Sequence, residues 1–225
     1  MEQMGFQSFD TLKKDKPIEQ DARINAYVRC VATAITNEVG DDWEVVVFKD
    51  ATANAFALPG RKIGVHTGLL KVAENQHQLA AVLGHEVSHV LAKHSNERVS
   101  QKFAVSQGLA LTQALISPQS GLGQAGMGLL GVGAQYGILM PFSRAHESEA
   151  DVYGLDLMAQ AGFDPRESVS LWMNMGKDGG KQPPEFASTH PSHKTRISDL
   201  EKHMPKALEI RKRALGSGKN PQCGK

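Results

Sequence analysis

His85-Glu86-Val87-Ser88-His89 stands in a run from Gln76 to Gln101 that only Gly84 interrupts, and its residue types suit metal-assisted hydrolysis. Successive residues of a helix turn by about 100°, so His85 and His89 share one face, one turn apart. Two imidazoles so placed can grip one ion, and zinc is the usual occupant of HExxH on a helix. Glu86 lies beside them, where a carboxylate can take a proton from a water on the metal. Leu79, Val82, Leu83, Val87, Val90 and Leu91 give the helix a buried flank, and Gly84 leaves room beside the first His. A structural zinc site is closed, four-ligand and usually Cys-rich, and gives Glu86 no role. The catalytic reading is preferred.

A catalytic zinc with two His needs a third protein ligand. A His ten residues after the first would supply it, but that position is Ser95. His94 is one residue short and points about 180° from His85 on an ideal helix, which reads as a surface histidine. A glutamate from another helix is the remaining pattern. Glu147 and Asp151 are four apart and share a face, with Gly154 one turn further along it. Glu147 is expected as the third ligand and Asp151 as the hydrogen-bond partner of a ligand His. Glu149, about 160° away from Glu147, is expected to be an exposed charge. The bland alternative is a solvated acidic face.

Several elements must hold these groups. Residues 1–16 read as a loose polar arm. Pro17 to Val39 reads as a helix, with Ile24, Val28, Val31 and Ile35 at helical spacing and Gly40 as stop. Trp43 to Phe48 reads as a strand, and Asn54 to Leu58 and Lys62 to His66 as two strands about Pro59-Gly60. From Phe103 to Ser143 the chain carries no charge and is rich in Gly and Ala. That stretch makes a poor transmembrane span; it reads as a hairpin or lid over the site, or as a hairpin that only packs. Ser143 to Ala161 is a second helix, Asp164-Pro165-Arg166-Glu167 starts a third, and Ile197 to Ile210 a last one, interrupted near Pro205. Residues 216–225 form a polar tail.

The chain of 225 residues is 40% hydrophobic and 22% charged, enough for one sizeable domain. Its formal net charge of +1 argues against nucleic acid, which needs a basic face. Cys30 and Cys223 either form a disulfide in an oxidising compartment or are two unrelated thiols. Met1-Glu2-Gln3-Met4 shows no export signal, which means cytoplasm or a chain whose leader has been removed.

HExxH followed by Glu147-Ser148-Glu149-Ala150-Asp151 resembles the gluzincin metallopeptidases typified by HtpX, Oma and the periplasmic protease BepA. The resemblance runs from about Ala51 to Ile197. It includes Asn54-Ala55-Phe56-Ala57-Leu58-Pro59-Gly60, Ser143-Arg144, the Gly162-Phe163-Asp164-Pro165 turn, Thr189-His190-Pro191 and Arg196-Ile197. It implies an α+β, mainly helical zincin-type fold, with a small antiparallel sheet whose edge strand borders the cleft. It implies one zinc per chain on His85, His89 and Glu147. It also implies an extended or unfolded polypeptide laid against Asn54, Ala55, Phe56 and Ala57; such an edge holds a peptide through its backbone. By the same resemblance His190 lies beside the metal, as oxyanion stabiliser or as a gate on the open position; Arg196 pairs either with an acid near the site or simply with the surface. Without clear membrane spans the chain resembles the soluble branch. That implies a periplasmic or envelope location, a membrane or outer-membrane assembly association, and quality control of misfolded envelope proteins. The rival functions are a client-holding chaperone with a structural zinc and a membrane-embedded protease.

Overall fold

Asp21 accepts hydrogen bonds from the backbone N–H groups of Arg23 and Ile24, which caps helix α2, Ala22–Thr36. The structure is a computed structural model and describes residues 2–40, 42–97, 100, 143–177, 190 and 195–224. Ahead of α2 stands helix α1, Glu2–Asp15. After it come strands β1, Glu44–Phe48, β2, Ala55–Leu58, and β3, Lys62–His66. Helices α3, Leu69–Val72, and α4, Gln76–Leu91, follow. The later helices are α5, Arg144–Gln160, α6, Glu167–Lys177, and α7, Arg196–Gly216. The expected α+β, mainly helical architecture is present. The expected hairpin or lid over 103–143 falls outside the described residues except for Ser143.

α4 is the centre of the fold. It packs against α5, α2, α6 and β2, and every residue from Gln78 to His89 is buried. Its apolar residues Leu79, Val82, Leu83 and Val87 join Val28, Val31 and Ile35 of α2 in one core. Each such buried side chain contributes about 1.5–3 kcal/mol relative to exposure. Leu91 is the exception on the expected flank, 49% exposed at the helix end.

The sheet has the order β1-β3-β2. β2 and β3 form the expected antiparallel hairpin, turning through Gly60 (φ 88) and Arg61 (φ 60). β1 pairs with β3 in parallel, so the sheet is mixed and not purely antiparallel. The alternation of side chains is the same for either direction, so the residue pattern could not separate them. Among the described residues β2 is left with a free edge.

Two other expectations are corrected. Residues 1–16 are no loose arm: α1 turns Gly5 and Phe9, one helical turn apart, into the protein. Phe9 packs edge-on to Phe48 and Phe56. α7 runs without a break through Pro205; a proline removes one backbone hydrogen bond, and buried Leu200 and Ala207 hold the helix on either side. Cys30 and Cys223 form a disulfide that fixes the tail to α2. No helix among the described residues is long and apolar enough to cross a membrane.

Candidate metal centre

Two capped helix starts set the site. Asn75 Oδ1 accepts from the N–H groups of His77 and Gln78 and so fixes the start of α4. Ser143 caps α5 by accepting from the His146 N–H, which places Glu147 in the first turn. The two helices cross closely, and His85, His89 and Glu147 converge at the crossing. His85 Nε2 and His89 Nε2 are 3.0 Å apart, and each lies 3.5 Å from a Glu147 oxygen. His190 completes the group: its Nδ1 is 3.0 Å from Glu147 Oε1 and 3.2 Å from His85 Nε2. One ligand atom from each of the four lies within 4.8 Å of the others, and all four residues are buried.

Behind this group stand two supporting residues. Asp151 Oδ1 is 2.9 Å from His85 Nδ1, a contact that leaves His85 Nε2 for the cluster. Arg196, 1% exposed, donates to Glu147 Oε2 at 3.2 Å and to Asp151 Oδ1 at 2.6 Å. Its guanidinium lies 3.5 Å from the centre of the Trp172 ring. A buried cation thus bridges two carboxylates one turn apart on α5, and the indole face covers it.

Glu86 faces the cluster from the other side. Its Oε2 accepts the Ala57 N–H at 3.3 Å. Among the described residues its Oε1 has no hydrogen-bond partner; His190 Nε2 lies 3.2 Å away without hydrogen-bond geometry. Burial pushes the Glu86 carboxyl above its ordinary range. For Glu147 burial acts in the same sense, but hydrogen bonds from His190 and His85 outweigh it and hold the carboxyl well below the usual range. Burial disfavours charge on His85, yet Asp151 and Glu147 raise its pKa to about 9. Burial and the neighbouring His85 hold His89 neutral. A cation entering the cluster therefore competes with a proton for the His85 imidazole.

The residues fit such a cation. Imidazole nitrogens and one carboxylate converge from three elements, and an acceptor with no partner, Glu86 Oε1, stands beside them.

The residues expected to hold substrate, Asn54 to Ala57, lie on and just ahead of β2. The His66 N–H donates to the Asn54 carbonyl, so in this antiparallel ladder the backbone groups of Ala55 and Ala57 turn to the free edge. Asn54 is buried, and its Oδ1 has no hydrogen-bond partner among the described residues. Phe56 is different: its ring covers Gly64 and stacks on Phe48, away from the cluster. A recess of about 210 Å³ opens beside His89, walled by Trp43, Pro59, Val90 and Leu91.

One residue was misplaced by ideal-helix geometry and one was not anticipated. His94 is buried, not on the surface, with Nδ1 2.9 Å from His89 Nδ1. α4 ends at Leu91 and Lys93 takes φ 57, which turns the chain back toward the site. Glu149 is exposed as expected, its side chain 48% accessible, and its Oε2 lies 3.3 Å from His94 Nε2. Trp172 was foreseen only as a helix residue; no spacing connects it to Arg196.

Comparison with known proteins agrees with this geometry. A profile described as peptidase family M48 matches residues 18–204. The mitochondrial metalloendopeptidase OMA1 of Schizosaccharomyces pombe is 43% identical over 167 residues, which is 73% of this chain and 48% of the relative. OMA1 of Saccharomyces cerevisiae is 38% identical over 180 residues, 76% of this chain and 50% of the relative. The β-barrel assembly-enhancing protease of Yersinia pestis is 30% identical over 203 residues, 84% of this chain and 40% of the relative. The chain therefore spans about half or less of the length of these relatives. The expected periplasmic or envelope location is overturned: the relatives matched at 43% and 38% are named mitochondrial, and the one named for β-barrel assembly stands at 30%. That expectation rests on the lack of a clear membrane span, which does not fix a compartment.

Proposed function

The chain belongs to peptidase family M48, and on that premise we propose that it is a zinc-dependent endopeptidase acting on extended, unfolded polypeptide. The observation that carries this reading is the convergence of His85, His89 and Glu147 beside a buried Glu86 that touches the edge of β2. His85, His89 and Glu147 would hold one zinc. Bound there, zinc supplies Lewis acidity, which lowers the pKa of a coordinated water to about 7 and polarises a peptide carbonyl.

The other roles belong to the chain itself. The free edge of β2 takes the substrate as an added strand, through the backbone of Ala55, the Ala57 carbonyl and Asn54 Oδ1. The recess beside His89 receives side chains of the strand so held. Glu86, anchored through Oε2 by the Ala57 N–H, accepts a proton from the attacking water at Oε1 and returns it to the leaving amine. His190 sits between Glu147 and Glu86, where it can oppose the oxyanion or close the open position. Asp151 and Arg196 keep His85 and Glu147 oriented. Only a chain without its own tertiary pairing can lie along β2, so misfolded or unassembled proteins are the proposed clients, and quality control the proposed setting.

The test is cleavage of unfolded casein by the zinc-loaded protein and by Glu86→Gln. The wild type should cut, a chelator should stop it and zinc restore it. Glu86→Gln should hold the same zinc and cut at least about 100-fold more slowly. Equal rates would falsify the assignment of Glu86. Casein held but cut by neither protein would favour the client-holding alternative.

A further inference from the structure

Beyond the four clustered residues lies a second group of titratable side chains. His94 is 1% exposed and sits between His89 and Glu149. Its Nδ1 is 2.9 Å from His89 Nδ1 and its Nε2 3.3 Å from Glu149 Oε2. Its ring stacks on that of His146 at 4.3 Å and 20°, and His146 Nε2 is held by Glu97 Oε2 at 2.7 Å. The ring is therefore fixed in plane as well as in position.

The hydrogen-bonding rules order this chain of contacts. His89 turns Nε2 into the cluster, and a nitrogen that binds a cation carries no proton. The proton of neutral His89 must then be on Nδ1. Two Nδ1 atoms 2.9 Å apart can share only one proton, so His94 Nδ1 accepts it. Neutral His94 then carries its own proton on Nε2, which faces the Glu149 carboxylate. Each tautomer follows from the network around it. A ring present only for packing has no need of this nitrogen-to-nitrogen approach.

We propose that His94 is a positioning residue for the metal centre, fixing His89 in the tautomer that presents Nε2 to the ion, with Glu149 as the terminal acceptor. His85 receives the same service from Asp151 directly; His89 receives it through an imidazole. This inference rests on the zinc site proposed above and adds to it the residues that set the orientation of its second histidine.

The test compares zinc affinity by chelator competition in the wild type, His94→Leu, His94→Asn and Glu149→Gln, with the melting of each metal-free protein. His94→Leu should bind zinc about tenfold or more weakly. His94→Asn, whose Oδ1 stands where Nδ1 does, should recover most of that loss. Glu149→Gln should weaken zinc less than His94→Leu and leave the metal-free melting unchanged. Zinc affinity unchanged in His94→Leu, or lost equally in the Leu and Asn variants, overturns the inference. Should His94→Leu fail to fold, 15N-histidine spectra of the zinc-loaded wild type decide: His94 protonated on Nε2 supports the relay, and protonation on Nδ1 overturns it. A wild type that binds no zinc overturns the proposed function itself, whereas equal binding by wild type and His94→Leu overturns only the role of His94.

Discussion

Gly84 and Gly154 meet backbone to backbone where α4 crosses α5. A Cβ on Gly84 would stand 2.8 Å from the Gly154 carbonyl oxygen, and one on Gly154 would stand 2.7 Å from the His85 nitrogen. The space left by the missing side chain of Gly84 is thus filled by α5, and this close approach is what lets Glu147 reach the two imidazoles. Gly154→Ala must push the helices apart, since its neighbours are backbone atoms. A loss of about 1–3 kcal/mol in denaturant unfolding is expected, together with weaker zinc binding, because Glu147 and Asp151 are carried on the same helix. Wild-type stability and zinc affinity in this variant would contradict the packing account.

Arg196 is the shared cation of Glu147 and Asp151. Arg196→Met leaves two buried carboxylates one helical turn apart. Removing one partner of a buried ion pair costs about 3–5 kcal/mol, and the metal-free variant should lose stability on that scale. Saturating zinc should return part of it, since the ion then faces Glu147. Denaturant midpoints measured with chelator and with zinc check both statements; a metal-free variant as stable as wild type contradicts the first.

The parts of this site that local spacing sets were legible in the residues. His85, Glu86 and His89 lie on one helix, and Glu147 with Asp151 on another, so helical geometry alone grouped each set. What could not be read depends on where helices stop and how strands pair. His94 was extrapolated along an ideal helix, but the chain leaves that helix after Leu91 and reverses at Lys93. Glu149 is exposed as its helix position indicates, but nothing in that helix points to the histidine opposite. The polar composition of residues 1–16 hid a two-residue inward face, Gly5 and Phe9. The parallel pairing of β1 with β3 leaves no trace in an alternating pattern.

Acid should weaken the fold through His77. Its Nδ1 accepts the Asp164 backbone N–H at 3.2 Å, and its half-buried ring meets Phe163 edge-on. Burial first, and Arg211 second, hold its pKa below the ordinary 6.5. The unfolded chain therefore binds the proton more readily than the folded one. The stability His77 contributes is complete above 6.5 and is lost as pH falls from there through the lower folded value. The denaturant midpoint should fall less between about pH 7 and pH 5 in His77→Asn, whose Oδ1 still accepts a hydrogen bond but does not titrate. Equal slopes in the two proteins contradict this.

The disulfide closes a span of 193 residues between Cys30 and Cys223. Beside it Gln76 donates to the Pro221 carbonyl and accepts the Cys223 N–H, so the tail is also held at the first turn of α4. Cys30→Ser with Cys223→Ser should lower stability by about 2–5 kcal/mol and leave zinc affinity close to wild type. Thermal unfolding with and without reductant checks the first part; a Tm indifferent to reduction contradicts it.

Anomalous scattering at the zinc edge, from crystals of the zinc-loaded chain, tests the metal centre most directly. The account predicts one peak per chain, about 2.0–2.2 Å from His85 Nε2, His89 Nε2 and a Glu147 oxygen. A peak that leaves Glu147 beyond bonding distance, or no peak between the two imidazoles, would contradict it.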